Sequence, residues 1–90
     1  MASTTMLAAA KLALRLTTTA YDDEIGRLID SAYLDMAVAG VPEAEDALVK
    51  TAVITYVRAN FGSPSDYDRL KKAYDEQKAQ MQTATGYGLE

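Results

Sequence analysis

From Asp46 to Phe61 the chain reads DALVKTAVITYVRANF, a long apolar window without Gly or Pro. Wound as an α-helix at roughly 100° per residue, it gathers Lys50, Thr51, Thr55 and Arg58 into one arc of about 140°. Leu48, Val49, Ala52, Val53, Tyr56, Val57 and Ala59 cover most of the remainder. An apolar face this wide is more than one neighbouring helix can cover. The stretch therefore predicts a central helix with partners on two sides. Two large residues break the separation: Ile54 and Phe61 project toward the polar arc. Each is either a lone surface apolar residue, which is common, or a contact for another chain.

The rest of the sequence supplies helices to pack on it. Ser3 to Leu16 predicts a first helix, with Met6, Leu7, Ala10 and Leu14 at helical spacing. Ser3, Thr4 or Thr5 can cap it, and Thr17, Thr18 and Thr19 stop it. A second helix is expected from Thr18 or Thr19, with Asp22, Asp23 and Glu24 in its first turn, where the helix dipole favours anions. That placement explains the acids better than a metal site, since adjacent acids on a helix point in different directions. Tyr21, Ile25, Leu28, Ile29, Ala32, Met36 and Ala37 continue the spacing, and Gly40 followed by Pro42 ends it. After the central helix, Gly62 and Ser63-Pro64-Ser65-Asp66 read as a stop and a new start. The last helix, about Pro64 to Gln82, carries a narrow seam of Tyr67, Leu70, Tyr74, Gln77 and Met81. The tail Thr83 to Gly88 holds one aromatic, Tyr87, which either frays or orders against a neighbouring subunit.

The fold class expected is all-α, a small four-helix domain over 1–88 with a central apolar helix. Leu89-Glu90 reads as a cloning remnant outside it. No strand-like alternation competes with the helical pattern.

Composition removes most chemistry. The chain has no His and no Cys, so His-based triads and thiolate metal sites are excluded. It has no Gly-rich phosphate loop and no zinc spacing, so no cofactor or metal is expected. An enzyme would rest on carboxylates facing each other across a cleft, and a bundle of 90 residues offers little cleft. No apolar run approaches the ~20 residues of a membrane span, and there is no signal-peptide layout, so the chain is expected in the cytoplasm when made. Eight acids and one base lie between Tyr21 and Ala47, and the net charge is -4. General DNA binding needs clustered cations, which are missing here.

Leu14-Arg15-Leu16 followed by Tyr21-Asp22-Asp23-Glu24-Ile25, then Leu28-Ile29, Ala32 and Gly40, resembles the small helical head–tail connector proteins of tailed phages and prophages. Leu48-Val49, Ala52 to Val57, Phe61-Gly62-Ser63-Pro64 and Tyr74-Asp75-Glu76 extend the likeness over roughly Met6 to Gly88. Such proteins are often labelled DNA-packaging proteins. The resemblance implies an all-helical protomer without catalytic residues, assembled as a ring below the portal at the head–tail junction of the virion. Portal and tail-side connector proteins are then its partners, with DNA passing through ungripped. An acidic or neutral lumen would suit that passage. The rival expectation is a monomeric helical adaptor or regulator that binds one protein partner. Candidate subunit-interface residues are Ile54, Phe61 and Tyr87.

Overall fold

The computed structural model describes residues 4–41, 47–62 and 64–83. It contains four helices in chain order: α1 (Thr4–Leu14), α2 (Asp22–Val38), α3 (Ala47–Asn60) and α4 (Tyr67–Thr83). No strand occurs among the described residues. α3 packs against each of the other three helices, and α1 also packs on α2. The wide apolar face of the central stretch thus has the partners it required. Val49, Ala52, Val53 and Val57 are fully buried there. Met6 and Ala10 of α1, Ile25, Ile29, Ala32 and Met36 of α2, and Tyr74 and Met81 of α4 close the same core.

Local chemistry sets where the helices stop. α2 ends as Gly40 enters the left-handed region (φ 90). Gly40 N–H then donates to Ala37 O at 3.0 Å and Val41 N–H to Met36 O at 2.8 Å. This doubly bonded cap satisfies carbonyls that would otherwise be orphaned, and buries Val41 beside the helix end. α1 ends in the same geometry without a glycine. Arg15 takes φ 58, while Leu16 N–H donates to Lys11 O at 2.9 Å. The stop therefore precedes the threonine run that the sequence suggested as terminator. Thr19 does not cap α2. Tyr21 stands at the N-cap without a side-chain bond, and Thr18 Oγ1 instead accepts from Ala20 N–H at 3.1 Å, closing a turn. α4 begins at Tyr67 rather than Pro64. Ser3, Pro42 to Asp46, Ser63 and the tail with Tyr87 lie outside the described residues.

Helical phase accounts for two differences within α2. Tyr33 is buried and Ala37 is exposed, the reverse of the sequence expectation. Tyr33 falls about 70° from the centre of the stripe formed by Ile25, Ile29, Ala32 and Met36, whereas Ala37 falls about 110° away. Gly26 has open space where a Cβ would stand, so no close helix approach requires it.

The contacts also fix which helix ends lie together. Lys11 Nζ is 2.8 Å from Asp22 Oδ1, tying the end of α1 to the start of α2. The rings of Tyr21 and Phe61 meet edge to face with centroids 5.4 Å apart, tying the start of α2 to the end of α3. The rings of Tyr56 and Tyr74, with centroids 5.1 Å apart, hold α4 against α3, and Tyr67 at the start of α4 lines one pocket with Ala59 and Asn60 at the end of α3. One end of the bundle (end A) thus gathers the end of α1, the start of α2, the end of α3 and the start of α4. The other (end B) gathers the end of α2 and the start of α3.

Candidate functional site

Two kinds of surface stand out, a polar clasp and a set of exposed apolar side chains. The clasp joins α2 to α4. Tyr74 Oη donates to Asp35 Oδ2 at 2.7 Å, and Lys78 Nζ donates to the same oxygen at 2.9 Å. The Lys78 ammonium also sits 5.2 Å from the centre of the Tyr74 ring. Burial pushes the Asp35 carboxyl upward, but the two donors and the Lys78 charge outweigh it and hold Asp35 below its ordinary value. Burial, and then the bond donated to Asp35, push the Tyr74 hydroxyl well above its usual range.

Beside the clasp lies a groove of about 220 Å³, lined among others by Tyr56, Asn60, Tyr67, Lys71 and Tyr74. Several of its polar groups are engaged with each other. Lys71 Nζ donates to Asp75 Oδ2 at 3.1 Å, which raises the Lys71 pKa. Asn60 Nδ2 donates to Tyr56 O at 2.9 Å. The shifted groups that line it titrate away from neutrality, Asp35 below and Lys71 and Tyr74 above. The clasp and groove are arranged to hold α4 in place.

The acidic run at the start of α2 is dispersed in the same way. Asp22 pairs with Lys11 of α1, while Asp23 and Glu24 face solvent. Among the described residues no three acids cluster as a metal site would require, and no helix is long and apolar enough to cross a membrane.

The exposed apolar residues sort by end of the bundle. Leu12 (79% exposed) and Tyr21 lie at end A, with Tyr67 at the start of α4. Leu34 (67%), Val38 (83%) and Leu48 (50%) lie at end B. Leu48 and Thr55 nearly share a direction on α3, about 20° apart, yet Thr55 is buried. Leu48 stands in the first turn, at the rim of the packing. Thr55 stands mid-helix and returns its hydroxyl to Thr51 O at 3.0 Å. That hydrogen bond makes the burial of a polar side chain tolerable.

The structure places two of the three candidate contact residues. Ile54 and Phe61 are partly buried and pack against the chain's own core. Three helices surround α3, so even its polar arc is partly covered, and Phe61 spends one ring edge or face on Tyr21. Ile54 is accordingly half-buried rather than a lone exposed residue. Tyr87 is outside the described residues. Sequence reasoning passed over Leu12, Leu34 and Val38. The signal was present, as Leu34 and Val38 are one turn apart opposite the buried stripe of α2. Asp35 carried no local signal, since its partners are 39 and 43 positions away.

Comparison with known protein families gives a match over most of the chain. The phage connector protein family covers residues 6–88, a span that takes in nearly all of the four helices. No curated protein and no solved structure matches the sequence. With its all-helical fold and a match across almost its full length, the chain belongs to the phage connector protein family.

Proposed function

We propose that the chain is a structural subunit of the phage head–tail connection, repeated as a ring around the DNA exit channel between portal and tail. Family membership over residues 6–88 is the observation that carries this reading. The surface supports it. Large apolar side chains are exposed at both ends of the bundle, as a subunit with a neighbour on each side would need. A ring repeats one contact in which two different surfaces of the protomer meet. The partly covered Ile54 and Phe61, together with Tyr87, would supply the margin of such a contact. The net charge of -4 suits a channel wall that lets phosphates slide. The role is mechanical, and the virion is where it is performed.

The test is sedimentation of the protein across a concentration series, alone and with the portal protein of the same phage, followed by electron microscopy of the largest species. Rings, free or seated on the portal, are the expected result. A chain that stays monomeric at every concentration and does not bind the portal would overturn the reading and favour an adaptor with one partner. Portal templating is allowed for, because assembly linked to a binding partner shifts with that partner's concentration.

A further inference from the structure

The groove beside the clasp takes its lining from Tyr56, Ala59 and Asn60 of α3 and from Tyr67, Lys71 and Tyr74 of α4. A second hollow shares Ala59, Asn60 and Tyr67 with it and continues to Gly62 and Pro64 at end A. The groove holds about 220 Å³. Pockets that take whole small molecules run to about 300–1,000 Å³, so this one suits a side chain and a short piece of backbone. The charges around it cancel, Lys78 against Asp35 and Lys71 against Asp75. What remains for a ligand is neutral. Tyr67 is 40% exposed, and no described residue bonds to its hydroxyl or to the amide oxygen of Asn60. Such a lining favours an uncharged segment with an aromatic ring, because a charge laid there would lose water without gaining a free counter-charge.

The chain carries such a segment. Thr83 to Gly88 reads TATGYG, uncharged, with Tyr87 between two glycines that let its backbone approach a wall closely. Reach decides whose groove it can enter. Tyr87 comes four residues after the end of α4 at Thr83, so its Cα stands at most about 14 Å from that point. Tyr67, the first residue of the same helix, lies about 24 Å back along it, at 1.5 Å per residue. The Tyr67 end of the groove is therefore too far for the protomer's own Tyr87 and open to that of another copy.

We propose that residues 83–88 of one copy lie in the α3–α4 groove of the next, with the Tyr87 ring against Tyr67 and Asn60. This rests on the ring reading above and gives each subunit's tail a seat on its neighbour. The ring meets Tyr67 as Tyr21 meets Phe61 and Tyr56 meets Tyr74 within the protomer, edge to face. The Tyr87 hydroxyl donates to the amide oxygen of Asn60. Tail and groove are unlike surfaces, so the contact repeats from subunit to subunit and closes when the rotation allows. Ordering the tail costs backbone entropy. Subunits already held side by side supply the high effective concentration that offsets it. The tail thus locks a ring rather than starting one.

The chain has no native cysteine, so a disulfide reports a single pair of sites. Tyr87→Cys and Asn60→Cys variants are prepared separately, mixed where the parent protein assembles, with portal present if assembly requires it, and oxidised. A disulfide needs Cα atoms within about 7 Å. The expected result is a covalent dimer in the mixture, far more than from either variant alone, and a ladder of higher multimers from the double variant. A double variant that closes on itself when diluted to the monomer would return the tail to its own groove and overturn the proposal. An assembled sample with no mixed disulfide would overturn it as well, while leaving the ring reading intact. A sample monomeric by sedimentation, with and without portal, would remove the ring and this contact with it. As a second readout, Tyr87→Ser and Tyr67→Ala should each weaken assembly by about tenfold or more, with the double variant little worse than either and the helical circular dichroism that of the parent. Weakening by Tyr67→Ala without any by Tyr87→Ser would give the groove to a different occupant and overturn the assignment of the tail.

Discussion

α1 and α4 both lie on α3, and they meet solvent in opposite ways. The exposed side of α4 carries Asp68, Arg69, Lys71, Lys72, Asp75 and Glu76. Several of these charges are paired, Lys71 with Asp75 and Arg69 with Asp66. The clasp of Tyr74 and Lys78 on Asp35 fastens the helix to α2 besides. The exposed side of α1 carries no charge among its described residues, and one ion pair, Lys11 with Asp22, ties it to α2. Surface ion pairs contribute little stability, so the difference says more about solvation than about strength. The outer surface of α4 is one that water can cover. The outer surface of α1 is one that protein should cover. Both helices are nonetheless anchored inward by the same kind of residue, Met6 in α1 and Met81 in α4.

That shared anchoring gives the largest expected effect. Met6→Ala should cost about 2–5 kcal/mol, because a fully buried side chain is lost and its cavity only partly collapses. The measurement is the urea midpoint of the monomeric protein. A cost under about 1 kcal/mol would show that α1 is peripheral to the folded chain. Its exposed face would then be a sign of loose attachment rather than of a missing neighbour.

The clasp gives the next effect. Asp35→Ala removes the acceptor of both Tyr74 and Lys78. Hydrogen bonds to a charged group contribute roughly 1.5–3 kcal/mol, but the Asp35 side chain is 42% exposed and solvent screens it. A loss of about 1–2 kcal/mol is expected. The same groups set a pH dependence. Asp35 titrates below its ordinary 3.8 in the folded chain. The unfolded state therefore binds more protons between the two values, and stability rises with pH there. The clasp is fully formed above about pH 4 and weakens as the solution is acidified through the folded pKa. Tyr74 is shifted the other way, above its ordinary 10.0. Its contribution is present below that value and declines as pH rises beyond it, where the unfolded chain ionises first. Thermal melts of parent and Asp35→Ala from pH 3 to 11 check both signs. If the variant keeps the parent's acid slope, the slope belongs to other carboxylates.

How much of this was legible in the sequence depended on the range of the interaction. Periodicity placed α3 at the centre and Ile25, Ile29, Ala32 and Met36 on its partner's inner face, because those facts repeat every three to four residues. Gly40 was readable as a left-handed cap because glycine meets no Cβ clash there. Arg15 was not, since a non-glycine in that conformation is chosen by its surroundings rather than by its own preference. A helical wheel points Ile54 and Phe61 toward the polar arc, but it gives direction and not what stands in that direction. Coverage by other helices put both against the core. Asp35 needed its partners on α4, which no local pattern supplies. Leu12 was missed for another reason. Against the general apolarity of α1, one more leucine carries little contrast until burial shows which side is inward.

The smallest effect expected on the isolated chain returns to α1 and separates the two explanations of its face. Leu12→Gln exchanges a 79% exposed apolar side chain for a polar one of similar size. Little apolar area leaves contact in the monomer, and glutamine is nearly as good a helix former as leucine. The stability of the monomer should therefore stay within about 0.5 kcal/mol of the parent. The same substitution on α4, Lys72→Gln, should be equally mild, since Lys72 is exposed. Assembly should distinguish the two positions. Concentration-dependent sedimentation should weaken with Leu12→Gln and stay close to the parent with Lys72→Gln, because only the first lies on an uncharged outer face. Equal weakening by both would extend the contact to α4, and the contrast between a finished and an unfinished helix surface would fail. No weakening by either would leave Leu12 a solitary exposed leucine, of the kind most protein surfaces carry.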